Sequence, residues 1–279
     1  MTGIALPPLN IHSLLRQYGL HPSKGLGQNY LQDLTALQEI VASAQLTASD
    51  SVLEIGPGLG SLTRYLALQA RFVTAVELDR QLLPVLHEVL APFPNVRLIQ
   101  GDILALSPGD LMEHAPYLVV ANIPYYITSA LIRHLLGSEP RPRRAVLTVQ
   151  REVAERICAL PGDLSLLALS VQVFGRPEIT AHIPAEAFYP VPKVGSAVVR
   201  LEIHPQPVIP EPLLDHFFQL AKAGFSQKRK TLRNALSGGL RISTDQATAM
   251  LHAAGIDPQR RAETLNLEEW GNLAELPLT

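Results

Sequence analysis

Apolar and polar positions follow two different periods along the chain. Short runs of β-branched and aliphatic residues, SVLEI (51–55), FVTAVEL (72–78), NVRLIQ (95–100) and YLVVAN (117–122), read as strands covered on both faces, as in a parallel sheet. Between them lie SLTRYLALQA and RQLLPVLHEVL, and after the last TSALIRHLLG, with apolar residues at helical spacing. That rhythm predicts a doubly wound α/β sheet with right-handed crossovers, which RAVLTVQ and GSAVVRLEI would extend. Near Pro205 the character changes. HPQPVIPEP holds four prolines in nine residues, a composition unsuited to helix or central strand, and reads as a linker. Beyond it LLDHFFQLAKAGF, QKRKTLRNAL, TDQATAMLHAAG and NLEEWGNLAEL have helical period, and Asn266 three residues before Glu269 predicts a capping-box start. The expected organisation is an α/β domain over 1–204, with an N-terminal helical cap over about 1–45, and a small all-helical domain over 205–279.

Composition narrows the class. With 279 residues, 47% hydrophobic, the chain can bury a sizeable core. No apolar run reaches the roughly 18 residues of a membrane span, and the first residues lack a signal peptide's pattern, so a soluble, cytoplasmic protein is expected. The single Cys158 forms no internal disulfide and has no motif around it. Nine scattered His show no ligand-pair spacing, so no metal is expected. The net charge of −2 speaks against a generic polyanion binder. Its distribution differs: residues 216–244 contain no acid, while Lys222, Lys228, Arg229, Lys230, Arg233 and Arg241 all fall inside, enough for a local basic surface.

The stretch LEIGPGLGSLT sets Glu54, Gly56, Gly58 and Gly60 between a strand and a helix. Glycines there permit a sharp turn and close approach of a ligand to free helix N–H groups. Spacing G-x-G-x-G leaves less room for a pyrophosphate than the dinucleotide pattern G-x-G-x-x-G. The next strand ends in VELD, where Glu77 can accept from both hydroxyls of a ribose, and the third is followed by GDIL, where Asp102 can accept from an adenine amine. A ligand with ribose and adenine but no phosphate suits this set, and S-adenosylmethionine is one. The plain structural alternative is that each acid caps a helix, worth about 1 kcal/mol.

The fourth strand ends in NIPYYITSA. An exocyclic amine on an aromatic base is a poor nucleophile because its lone pair is delocalised into the ring. Two acceptors aimed at its hydrogens, the Asn122 side-chain oxygen and the Ile123 carbonyl, pull the nitrogen toward a tetrahedral form, with Pro124 fixing the turn. Tyr125 would stack on the base, while Tyr126 reads as packing. Catalysis of this kind is mostly positioning. The structural alternative is a strand-to-helix turn with Pro in the first helical turn. A second aromatic pair, Phe188 and Tyr189, opens the proline-flanked loop FYPVPKVGS; Phe188 reads either as a core cap or as the other face of a base sandwich.

Taken in order, KGLGQNYL, LEIGPGLGSLT, VELD, GDIL, NIPYYITS, QREVAERI, FYPVPKVGSAVVRL, GFSQKRKTLRNAL and RAETLNLEEW resemble the KsgA-type ribosomal RNA adenine dimethyltransferases nearly end to end. The resemblance implies a Rossmann-like S-adenosylmethionine-dependent methyltransferase sheet with a small C-terminal all-helical domain. It implies that Gln28, Asn29 and Leu31 close over a cofactor held by Gly56, Gly58, Glu77, Leu78, Asp102, Ile103 and Asn122, and that Phe188 stacks on the base beside Asn122, Ile123, Pro124 and Tyr125. The family transfers four methyls to two adjacent adenosines in the hairpin near the 3′ end of small-subunit ribosomal RNA, late in assembly. The expected partner is that RNA within the immature 30S particle, bound by a monomer. Tyr126 stands where the family often has Asn, and Gly195 where it often has Asp.

FSQKRKTLRNAL, read as one basic helix, puts Phe225, Leu232 and Leu236 on a stripe with Arg229 and Arg233 along its flank and Lys230 further round. A solvated face is the ordinary explanation of such a run; the missing acids favour RNA phosphate contact by Lys222, Lys228, Arg229, Lys230 and Arg233, joined by Arg141, Arg143 and Arg144 if these share the face. Rival readings are a large-subunit ribosomal RNA methyltransferase of the antibiotic-resistance type, a small-molecule N-methyltransferase, and an assembly factor without chemistry.

Overall fold

The computed structural model describes residues 6–113 and 115–277, so the first five residues of the expected N-terminal cap lie outside the described residues. In chain order the elements are α1 (Ile11–Gln17), β1 (Tyr30–Leu31), α2 (Leu34–Ala44), β2 (Ser51–Ile55), α3 (Ser61–Gln69), β3 (Phe72–Glu77), α4 (Leu83–Leu90), β4 (Val96–Gln100), α5 (Pro108–Leu111), β5 (Leu118–Asn122), α6 (Thr128–Gly137) and β6 (Arg144–Gln150). There follow α7 (Arg151–Ile157), α8 (Leu166–Gln172), β7 (Gly175–Ile183), β8 (Phe188–Tyr189), β9 (Ser196–Ile203), α9 (Glu211–Gly224), α10 (Leu232–Leu240), α11 (Thr244–Ala253) and α12 (Leu267–Ala274). Two compact units divide the chain: residues up to Ala154 together with Glu178–Ile203, and Glu155–Pro177 together with residues from His204 onward. Among the described residues no helix is long and apolar enough to cross a membrane, and no group of three or more His, Cys, Asp or Glu could hold a metal ion.

The first unit is built on a seven-stranded sheet in the order β4-β3-β2-β5-β6-β9-β7. Strands β4, β3, β2, β5 and β6 are parallel, and β9 runs antiparallel to β6. The expected strands therefore form where apolar patterning placed them. One differs in character: β4 is only partly buried because it is an edge strand, with β3 its one neighbour. On one sheet face Val52, Val73, Val120, Val146 and Val198 pack with Leu37, Ile40 and Val41 of α2 and Leu62 and Leu66 of α3. Each such fully buried aliphatic side chain contributes about 1.5–3 kcal/mol. Asp33 starts α2 by accepting the Ala36 N–H at 2.8 Å, and Gln45 ends it in the left-handed region at φ 49°. Chain order reverses at β2, whose neighbours β3 and β5 lie on either side, and such a reversal opens a crevice at the carboxyl ends of the strands.

Arg141, Arg143 and Arg144 lie elsewhere. Arg143 and Arg144 stand at the amino-terminal end of β6, the sheet edge opposite the carboxyl ends. Each is engaged within the protein: Arg143 with the buried Asp50 carboxylate, Arg144 with Glu202 at 2.6 Å and the Ala44 carbonyl at 2.7 Å, Arg141 with Glu139 at 3.0 Å and the Leu136 carbonyl at 2.8 Å. Their charges therefore already have partners inside the protein, although the Arg143 side chain stays 59% exposed.

Residues 155–177, grouped with the α/β half from sequence, pack instead with the helices that follow. Phe174 stacks with Phe218 of α9 at 6.3 Å between ring centres, and the Gly162 N–H donates to the Glu263 carbonyl at 2.8 Å. The proline-rich stretch is no loose linker: His204 and Val208 donate to the Phe174 and Val173 carbonyls, both at 2.8 Å, and Ile209 is buried. Helix α12 opens with the expected capping box, Asn266 Oδ1 accepting from Glu269 N at 2.8 Å and Glu269 Oε2 from Asn266 N at 2.9 Å. The basic helix, by contrast, is not continuous. Helix α9 ends at Gly224, residues 225–231 turn, and α10 begins at Leu232. Ser226 Oγ donates to the Ala223 carbonyl, Lys230 N to Gln227 O, and Thr231 is extended (φ −63°, ψ 154°), so local bonds close the first helix before the next begins. The turn lets α9 and α10 fold against each other so closely that a Cβ on Gly239 would lie 2.6 Å from the Ala223 Cβ.

Candidate active site

Four strand ends build the site. After β2 the chain turns through Gly56, Gly58 and Gly60 at φ +69°, +60° and +85°, conformations that favour glycine. A Cβ at Gly56 would meet nothing within 4 Å, so its backbone faces open space; one at Gly58 would come within 3.1 Å of the Tyr30 ring. At the end of β3, Glu77 is buried with both oxygens committed once: Oε2 accepts from Gly58 N at 3.1 Å and Oε1 from Asp79 N at 2.8 Å. Each oxygen keeps acceptor capacity for a vicinal diol. Burial raises the Glu77 pKa and the Asp79 charge adds to it, opposed by the backbone N–H groups of Asp79, Gly58 and Leu78. Asp102 caps the turn after β4, Oδ1 accepting from Leu104 N at 2.9 Å, so it does cap; its other oxygen remains at an exposed position.

Beside Glu77, on the neighbouring strand, Glu54 is 1% exposed and its Oε2 has no hydrogen-bond partner among the described residues. Burial pushes this carboxyl up to about 8, the Thr63 hydroxyl opposes the shift, and the Glu77 charge adds to it. Sequence reasoning gave Glu54 no role of its own, although an acid inside the five-residue apolar strand SVLEI is the signal that marks it.

At the end of β5, Asn122 Nδ2 donates to the Asn29 carbonyl at 3.2 Å. Pinning the nitrogen turns the amide's oxygen into the atom available to a substrate N–H. Ile123 N is held by the Thr148 carbonyl of β6 at 3.2 Å, and the Ile123–Pro124 peptide carries a carbonyl with no N–H. Pro124 (φ −56°, ψ 127°) leads into a 3₁₀ turn over Tyr125–Ile127. The Tyr125 hydroxyl bonds Ser196 Oγ at 2.8 Å, which fixes its ring. Tyr126 is 59% exposed at the rim rather than packed inside, its ring over Gly27.

The N-terminal segment supplies the remaining wall. Tyr30 and Leu31 pair antiparallel with Tyr189 and Phe188, a two-stranded ribbon the sequence reading lacked. Phe188 is fully buried in the cluster with Leu31, Val120 and Val198, as a core cap, and it also lines the cavity. Gln28, Asn29, Leu31, Gly56, Gly58, Glu77, Leu78, Asp102, Ile103, Asn122, Ile123, Pro124, Tyr125 and Phe188 all line one cavity of about 270 Å³. Leu26, Gly27, Tyr30 and Glu54 also line it, beyond the expected set. A diol acceptor, an accessible glycine backbone, the buried Glu54 carboxyl, which a cationic group would favour in its ionised form, and apolar Leu78 and Ile103 fit the adenosyl and amino acid parts of S-adenosylmethionine.

The basic positions belong to the helical unit. Lys222, Lys228, Arg229 and Lys230 are exposed at the end of α9 and on the turn after it, whereas Arg233 is half-buried in the first turn of α10, its Nε without a partner.

Comparison with known proteins agrees with this geometry. A family model described as ribosomal RNA adenine dimethylase matches residues 21–277. The ribosomal RNA small subunit methyltransferase A of Dehalococcoides mccartyi (strain CBDB1) is 48% identical over 93% of this chain and 90% of its own. The protein of the same name from Pelotomaculum thermopropionicum is 42% identical over 98% and 97%. Among solved structures, a dimethyladenosine transferase from Plasmodium falciparum superposes with a TM-score of 0.73 at 26% identity over 87% of this chain and 95% of that one. The 23S rRNA methyltransferase ErmE does so with 0.70 at 31% over 88% and 98%. With a family model spanning nearly the whole chain and relatives this similar end to end, the chain belongs to the ribosomal RNA adenine dimethylase family.

Proposed function

We propose that this protein dimethylates the N6 amines of two adjacent adenosines in the 3′-terminal hairpin of small-subunit ribosomal RNA, acting as a cytoplasmic monomer on the immature 30S particle with S-adenosylmethionine as donor. The observation that carries the reading is Asn122-Ile123-Pro124-Tyr125 at the tip of β5, opening onto the same cavity as Glu77 and the glycine loop. When bound, the cofactor supplies an electrophilic methyl on a sulfonium. The protein's own work is orientation. Asn122 Oδ1 and the Ile123 carbonyl accept from the two amine hydrogens, localising the nitrogen lone pair, and Tyr125 and Phe188 hold the ring plane. After one methyl a single N–H remains, so one acceptor holds the amine for the second transfer. The exposed Lys222, Lys228, Arg229 and Lys230 supply phosphate contacts, with Arg233 beside them.

The test is transfer of labelled methyl from the donor to small subunits lacking the modification, to large subunits, and to naked ribosomal RNA. Dimethyladenosine formed on small subunits alone is expected. Labelling of large subunits instead would assign the chain to the substrate named for ErmE, and no transfer to any RNA would remove the proposal.

A further inference from the structure

The hydrogen bonds around Gln28 converge on one carboxylate to which the proposed chemistry gives no task. Gln28 Oε1 accepts from Ser23 N at 2.8 Å and from the Tyr30 hydroxyl at 3.0 Å, and Gln28 N donates to the Ser23 carbonyl at 3.2 Å. The loop 23–30 is therefore wound around one amide. Its donor end, Nε2, goes to Asp79 Oδ2 at 2.8 Å. Asp79 N in turn donates at 2.8 Å to Oε1 of Glu77, the carboxylate that lines the cavity, and Asp79 Oδ1 caps the following turn at Gln81 N, 3.0 Å.

We infer that Asp79 is a positioning residue that couples the cofactor carboxylate Glu77 to the N-terminal wall of the pocket, so that the wall is held in its cofactor-binding position through the Asp79–Gln28 bond. Leu26 to Leu31 form that wall, and Asn29 is also the residue whose carbonyl pins Asn122. One bond thereby reaches both halves of the site: at one end the strand tip that carries Glu77, at the other the segment that orients the catalytic amide. A charged acceptor suits the task, because hydrogen bonds to an ionised partner are the stronger kind. The inference rests on the proposed cofactor.

Two variants separate positioning from capping. In Asp79→Ser the short hydroxyl still caps Gln81 N but cannot reach Gln28. In the double variant D79N/Q28E donor and acceptor are exchanged: the amide introduced at position 79 donates to the carboxylate introduced at position 28, whose oxygens still accept from Ser23 N and Tyr30. S-adenosylmethionine affinity by calorimetry and amide exchange of residues 23–31 in the ligand-free chain are the readouts. Asp79→Ser is expected to weaken the donor roughly tenfold and to speed exchange across 23–31, and D79N/Q28E to recover both. Unchanged affinity and exchange in Asp79→Ser, or a double variant no better than it, would overturn the inference while leaving the function intact. A wild-type chain without affinity for the donor would overturn both.

Discussion

The role proposed for Asn122 rests on the asymmetry of its amide: the nitrogen is spent on the Asn29 carbonyl, which leaves the oxygen as the acceptor this residue brings to the cavity it lines. Asn122→Ala is therefore expected to cut methyl transfer by about 10²–10³-fold, the scale of removing one preorganised transition-state partner, with cofactor affinity much less affected; single-turnover transfer and calorimetry measure the two. Glu54 makes a different prediction. Its folded pKa of about 8 lies above the ordinary carboxylate value, so between those limits the native chain retains a proton that the unfolded chain has released. Stability contributed at that position is present below the ordinary pKa and falls as pH rises through about 8. Glu54→Gln removes the titration, and its melting temperature should drop less than that of wild type between about pH 5 and pH 9; parallel curves would exclude the effect. A cation bound in the pocket opposes the same loss by favouring the ionised carboxylate.

At the scale of elements, the proposed phosphate contacts fall on the turn between α9 and α10 and not on the continuous helix expected from its period. Lys228, Arg229 and Lys230 are exposed on consecutive turn residues. Reversing Arg229 and Lys230 to Glu should weaken binding to small subunits, flatten the dependence of log Kd on log salt, and leave cofactor affinity alone; titrations at two or more salt concentrations decide it, and loss of cofactor binding would contradict it. Helical period failed here because QKRKTLRNAL contains no Pro and no interior Gly, and nothing local announces the break at Thr231. The new helix start is also held from outside its own segment, Leu232 N donating to the Arg260 carbonyl at 2.7 Å. Strands β2, β3 and β5 were legible because both of their faces are covered, and the Asn266 cap because its partners lie three residues apart.

For the whole molecule, the division of the chain into units carries a prediction about stability. A fragment starting at His204 leaves out α8 and Phe174, the partners of Phe218 and of the proline-rich stretch. It should unfold at a lower temperature than a chain in which residues 155–177 are joined to it, as followed by circular dichroism; equal melting would place the boundary where composition puts it. Composition marked Pro205 because four prolines crowd there, but prolines record only where helix and central strand stop. By itself the sequence determined the strand ends that matter, since glycines, acids and the Asn-Ile-Pro-Tyr stretch each follow an apolar run whose length sets where the strand stops. It could not reveal that β1 pairs with β8, that Gln28 meets Asp79 fifty-one residues away, or that Arg143 spends its charge on Asp50. Those depend on which segments meet, and a side chain's partner across such a distance is chosen by the packing of everything between them, so only the tertiary structure decided them.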